Sequence, residues 1–115
     1  MIILKPTDRI FVALSPVDFR GGIDSFACLL KNNFNEDPFS GKYFIFRNRI
    51  GTSLKILVYD GQGFWLMQKR FSEGKIKWWP ISFEDANRLD YRSIFLLLFN
   101  GYSQEIIFKK NWKKV

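Results

Sequence analysis

Leu54 to Phe71 reads LKILVYDGQGFWLMQKRF. Leu54, Ile56 and Val58 alternate with Lys55, Leu57 and Tyr59, and a similar alternation resumes after Asp60-Gly61-Gln62-Gly63. A glycine-bearing tetrapeptide between two runs of period two is the sequence signature of a tight β-hairpin. With Gly61-Gln62 as a two-residue turn, Asp60 opposes Gly63, Val58 opposes Trp65 and Ile56 opposes Met67. A three-residue Gly61–Gly63 loop would slip this pairing by one and reassign one strand's faces.

The same period extends to both sides. Tyr43 to Asn48 reads as a strand, Asn48 to Ser53 as its connection, and Lys75 to Trp79 as a last strand returning after Ser72-Glu73-Gly74. The last return sets Phe71 opposite Ile76 and Lys69 opposite Trp78. The expected product is an antiparallel meander of three or four strands. One face collects Leu54, Ile56, Val58, Trp65, Met67, Phe71, Ile76 and Trp78, with Lys69 as its only polar member. Such a face needs a helix to cover it. The second face collects Lys55, Leu57, Tyr59, Phe64, Leu66, Gln68, Arg70, Lys77 and Trp79. A face of that kind is covered at its apolar end by another element, or docks a protein, or binds nucleic acid, with cations on phosphates and rings on bases.

Elsewhere the period is helical. Ile23, Phe26, Ala27, Leu30 and Phe34 form one apolar stripe, with Asp24 near the positive end of the helix dipole. Asp90 can cap a second helix from Tyr91 to Asn100, closed by Gly101. Arg9 to Leu14 reads as a short strand and Ser15 to Gly22 as a turn. The expected fold is α+β: a twisted antiparallel sheet packed with two or more helices. Residues 1–103 form one domain and 104–115 a basic extension.

Charge sets the class of partner. The formal net charge is +7 over 115 residues, and Lys42 to Trp79 holds eight of the 18 basic residues but two of the 11 acidic ones. That concentration favours a polyanion. The absence of histidine removes histidine-dependent triads and zinc sites. The single Cys28 forbids an intrachain disulfide and suits a reducing cytoplasm. Met1 to Pro6 is too short an apolar run for a leader, and no stretch approaches the roughly 20 apolar residues that span a bilayer. No carboxylate pair has a diagnostic spacing. A metal-dependent nuclease would require Asp18, Asp24 and Asp60 to converge in space; Asp60 is otherwise explained by its turn and Asp24 by its helix end. Asp18 and Arg20 are read as anchoring each other, or the nearby sheet, beside Gly21.

Asp37 to Pro80, DPFSGKYFIFRNRIGTSLKILVYDGQGFWLMQKRFSEGKIKWWP, together with VDFRGGIDSFACLL upstream, resembles the small accessory proteins encoded by the second reading frame of insertion sequence sixty-six elements, often called TnpB. The resemblance runs from about Ile10 to Gly101. It implies a bacterial mobile element, a helper role in transposition beside a separate, larger transposase, and no known catalytic residues. The family-like positions are Asp18, Arg20, Gly21, Arg47, Asn48, Arg49, Lys55, Asp60, Gly61, Gly63, Lys69 and Arg70. Ile50-Gly51 replaces an often more basic or polar stretch of the family, and Val58-Tyr59 stands where a tryptophan is usual before the aspartate.

The resulting expectation is a non-enzymatic, cytoplasmic accessory protein without metal or cofactor. Its partners would be DNA at the element ends, the transposase and a second copy of itself, with no membrane. Arg47, Arg49, Lys55, Lys69, Arg70 and Lys77 would meet phosphate, and Trp79 would stack on bases. The alternative is a module that docks on the transposase without touching DNA.

Overall fold

The computed structural model describes residues 5–87 and 89–100. In chain order these form β1 (Ile10–Val12), α1 (Ile23–Asn33), β2 (Tyr43–Arg47), β3 (Ser53–Tyr59), β4 (Phe64–Arg70), α2 (Phe83–Asn87) and α3 (Tyr91–Asn100). The fold is α+β. The basic extension expected at 104–115 and the closing Gly101 lie outside the described residues.

The four strands stand in chain order, β1-β2-β3-β4. β2, β3 and β4 are the expected antiparallel meander. Val58 faces Trp65, Ile56 faces Met67 and Tyr59 faces Phe64, so the two-residue turn sets the register. Asp60 fixes that turn: its Oδ1 accepts from the Gln62 and Gly63 backbone N–H groups, and its Oδ2 accepts from Trp65 Nε1 at 2.8 Å. These donors hold the Asp60 carboxyl below the usual carboxylate range.

Two expectations need correction. The sheet is mixed, because β1 pairs with β2 in parallel, Ile10 against Tyr43 and Val12 against Ile45. Two parallel neighbours need a crossover, and α1 supplies it. The expected strand at Lys75–Trp79 does not form, so the expected pairings of Phe71 with Ile76 and of Lys69 with Trp78 are absent. Instead Phe71 N–H donates to Thr52 O and Ile76 N–H to Gly51 O, which lays the 75–79 segment along the β2–β3 connection. The short α2 was not foreseen.

Alternation along the strands builds two cores. Ile45, Leu54 and Ile56 point to one side, where Ile94, Leu97 and Leu98 of α3 cover them. Phe44, Phe46 and Leu57 point to the other, against Phe26 and Leu30 of α1. The α1 core is aromatic: Phe26 meets Phe46 edge-on at 5.0 Å and Phe19 at 5.8 Å. Such pairs add about 0.5–1.5 kcal/mol beyond their burial. Ile23, first of the predicted stripe, stays 36% exposed at the helix start. α1 ends at Phe34, whose N–H reaches Leu30 O, and Asn35 turns the chain in a left-handed conformation (φ 52°). Asp90 caps α3 as the sequence indicates, accepting from Ser93 N–H at 2.8 Å.

Candidate nucleic-acid interface

The cations of the middle segment do not share a sheet face. Lys55 lies on the expected face, but α1 and the loop before it cover that face. Lys55 is 6% exposed, and its Nζ donates to Phe19 O at 2.9 Å and Gly21 O at 3.3 Å. The ammonium also lies 4.9 Å from the Phe26 ring centre and 5.2 Å from that of Phe19. Lys69 lies on the opposite face and donates to Leu98 O at 2.8 Å, meeting a carbonyl near the C-terminal end of α3. Burial lowers its pKa. Trp79 is 9% exposed and donates from Nε1 to Ala13 O at 2.8 Å, so its ring is core and not a stacking platform. The structure thus withdraws Lys55, Lys69 and Trp79 from the solvent-facing set.

The remaining cations, apart from Lys42, which pairs with Glu36 at 2.8 Å, gather at one end of the sheet. β2 ends at Arg47 and β3 begins at Ser53, and the 75–79 segment runs beside the connection between them. A groove of about 270 Å³ opens there, lined by Arg47, Arg49, Lys75 and Lys77 with Ile50 and Trp78, and among the described residues no carboxylate belongs to its lining. Arg70 is exposed at the same end, opposite Ser53. The Arg47 guanidinium stacks on Trp79, 5.6 Å from the ring centre, and burial lowers its pKa. Its Nε is buried and has no hydrogen-bond partner among the described residues. A buried N–H of this kind is costly unless an acceptor meets it.

Asn48 organises the connection. Its Oδ1 accepts from Thr52 and Ser53 N–H, and its Nδ2 donates to Thr52 Oγ1. Gly51 completes the bend at φ +75°, a conformation that side chains disfavour. On the other side of this turn is a second hollow, lined by Asp18, Arg20, Arg49 and Ile50. The chain reaches it because Val17 N–H donates to Arg47 O, extending the β1–β2 pairing. Gly21 packs so closely on α1 that an added Cβ would stand 2.4 Å from Ser25 Cβ.

Asp18 and Arg20 are exposed and bound to each other, Nη2 to Oδ2 at 2.6 Å, with Nε donating to both oxygens. The Arg20 side chain, then its backbone N–H, draw the Asp18 carboxyl down from 3.8 to about 2. The folded value is depressed, so the pair's contribution is complete above pH 3.8 and fades as pH falls through about 2. An NMR titration should place the Asp18 midpoint near 2, and Arg20→Ala should return it toward 3.8. A wild-type midpoint already at 3.8 would mean that the pair does not form in solution.

Asp18, Asp24 and Asp60 do not converge. Among the described residues, no group of three or more His, Cys, Asp or Glu is placed to hold a metal ion. No helix among them is long and apolar enough to cross a membrane. Lys75, a lining residue of the groove, is not among the cations expected to meet phosphate. Its signal was available: Lys75 and Lys77 stand two apart after a Ser-Glu-Gly bend, so in extended chain they share a side.

A family model described as IS66 Orf2 like protein matches residues 8–106. Two proteins of Sinorhizobium fredii (strain NBRC 101917 / NGR234) are similar to the chain. Uncharacterized protein y4hO is 36% identical over 70 residues, 61% of each chain. Uncharacterized protein y4jC is 36% identical over 73 residues, 64% of this chain and 62% of its own. The chain thus spans about three-fifths of the length of these curated relatives. No solved structure matches it. With the Asp18–Gly21 loop, the Asn48 turn and the Asp60 hairpin all inside the matched span, the chain belongs to the IS66 Orf2 like family of insertion-sequence accessory proteins.

Proposed function

We propose that this accessory protein of transposition is non-enzymatic, binds DNA at the element ends through the cationic end of its sheet, and so assists a separate transposase. The observation that carries the proposal is the meeting of Arg47, Arg49, Lys75 and Lys77 on one groove with no carboxylate in its lining among the described residues. Arginine offers a planar fork that fits phosphate, and lysine a point charge.

The test is a salt series with element-end and unrelated duplexes, read by fluorescence anisotropy. Four phosphate contacts give a slope of about −4 in log K against log salt. Arg49→Ala/Lys77→Ala should make that slope shallower by about 2. Salt-independent, undetectable binding that appears only with purified transposase would overturn the proposal in favour of docking. One observation favours that second reading. Phe39 and Trp65, both 59% exposed, stand near the other end of the hairpin, with Phe39 packed on Tyr59 and Phe64 at 5.0 and 5.1 Å.

A further inference from the structure

Ile50 stands at the tip of the β2–β3 connection and is 62% exposed. It borders both the groove holding Lys75 and Lys77 and the hollow holding Arg20, and Arg49 borders both as well. An aliphatic side chain therefore projects between the cationic groove and a hollow in which Asp18 pairs with Arg20. The tip is held from several directions. Asn48 grips Thr52 and Ser53, Gly51 N–H donates to Asn48 O, and the carbonyls of Gly51 and Thr52 receive Ile76 and Phe71 N–H. A fastened turn keeps the isoleucine out in water, where burying it against an apolar partner would release about 1.5–3 kcal/mol.

We propose that this turn enters the minor groove of duplex DNA, with Ile50 inserted as a wedge at a base-pair step and Arg49, Lys75 and Lys77 on the flanking phosphates. The inference rests on the DNA-binding reading and adds to it a mode of contact. The minor groove, about 6 Å wide, admits a single side chain but not a helix. Apolar wedges there part the stacked bases and kink the duplex, at a cost of a few kcal/mol per step that the added phosphate contacts offset. Pyrimidine–purine steps such as TA part most readily, and A-tracts resist. The wedge therefore makes the protein select deformable sites without reading base edges.

Two duplexes, one with a central TA step and one with an A-tract, are labelled at both ends and followed by energy transfer and anisotropy together. Wild type is expected to bend the TA duplex by about 20° or more, and to prefer it to the A-tract by about tenfold. Ile50→Ser, a change at an exposed position, should abolish both the bend and the preference. Salt-dependent wild-type binding without any change in energy transfer overturns the wedge and leaves the DNA reading standing. An Ile50→Ser protein that bends DNA as wild type does also overturns it. Wild type that shows no salt-dependent binding removes the DNA reading, and the wedge with it. Binding recovered only with transposase assigns Ile50 to a protein contact and overturns the wedge.

Discussion

Phe46→Ala is expected to lower the unfolding free energy by about 4 kcal/mol. Phe46 is fully buried in a central strand. It meets Phe26 at 5.0 Å and Phe34 at 6.4 Å, and faces Lys55 across the β2–β3 ladder. Truncation removes the transfer energy of a whole ring and two edge-on ring contacts. The space cannot close easily, because β1 and β3 fix the strand on both sides while α1 is tied at both ends. Domains of this size have roughly 5–15 kcal/mol in all. The change therefore removes a large part of the margin, and a urea midpoint should fall by about 2 M. Phe83→Ala, at a ring 74% exposed, should stay within about 0.5 kcal/mol. Equal midpoints for the two variants would show that the aromatic core is not where stability resides.

Lys55→Met is expected to cost roughly 3 kcal/mol and to leave the salt slope of DNA binding unchanged. Replacing a buried charge by an apolar side chain is often neutral when both partners go. Here only the donor goes. The carbonyls of Phe19 and Gly21 remain, each losing a charge-assisted bond, and the cation's contacts with the Phe19 and Phe26 rings are lost too. A drop in melting temperature of roughly 10–20 °C should follow. The loop that holds Asp18 and Arg20 should loosen with it, which amide hydrogen exchange at Phe19 to Gly22 would reveal. A Lys55→Met protein that is fully stable but binds DNA with a shallower slope would return this lysine to the surface set.

Most of the fold was legible wherever local chemistry fixes geometry. Asp60 and its two following N–H groups set the hairpin register, and alternation then assigned Lys55 and Lys69 to their correct faces. Ile23 to Phe34 carried a helical period with Asp24 near its start, and Tyr91 to Asn100 an apolar run capped by Asp90. The parallel β1–β2 pair was not legible, because nothing in Arg9–Leu14 states which neighbour it will join across a helix. The 75–79 segment misled through its own alternation: Ile76 and Trp78 do turn to the α3 core, but among the described residues only Ile76 N–H of this segment finds a backbone acceptor, and Trp79 joins the same core. The candidate site was partly legible. Composition placed the charge in the right segment, yet a side chain three or four carbons long chooses its end point by tertiary neighbours. Lys55 and Lys69 found carbonyls, whereas Arg49, Lys75 and Lys77 share one groove.

The strands stand side by side in the order in which the ribosome makes them. The hairpins of β2, β3 and β4 can close as they emerge, whereas β1 waits for β2 across α1. The α1 side is complete once β4 has arrived. The opposite side, with Ile45, Leu54, Ile56 and Met67, receives Ile76, Trp78 and Trp79 first and lacks Ile94, Leu97 and Leu98 until α3 is synthesised. A nascent chain paused before Tyr91 would therefore present a greasy, half-finished sheet, and this is the stage at which chaperone capture or misassembly should concentrate.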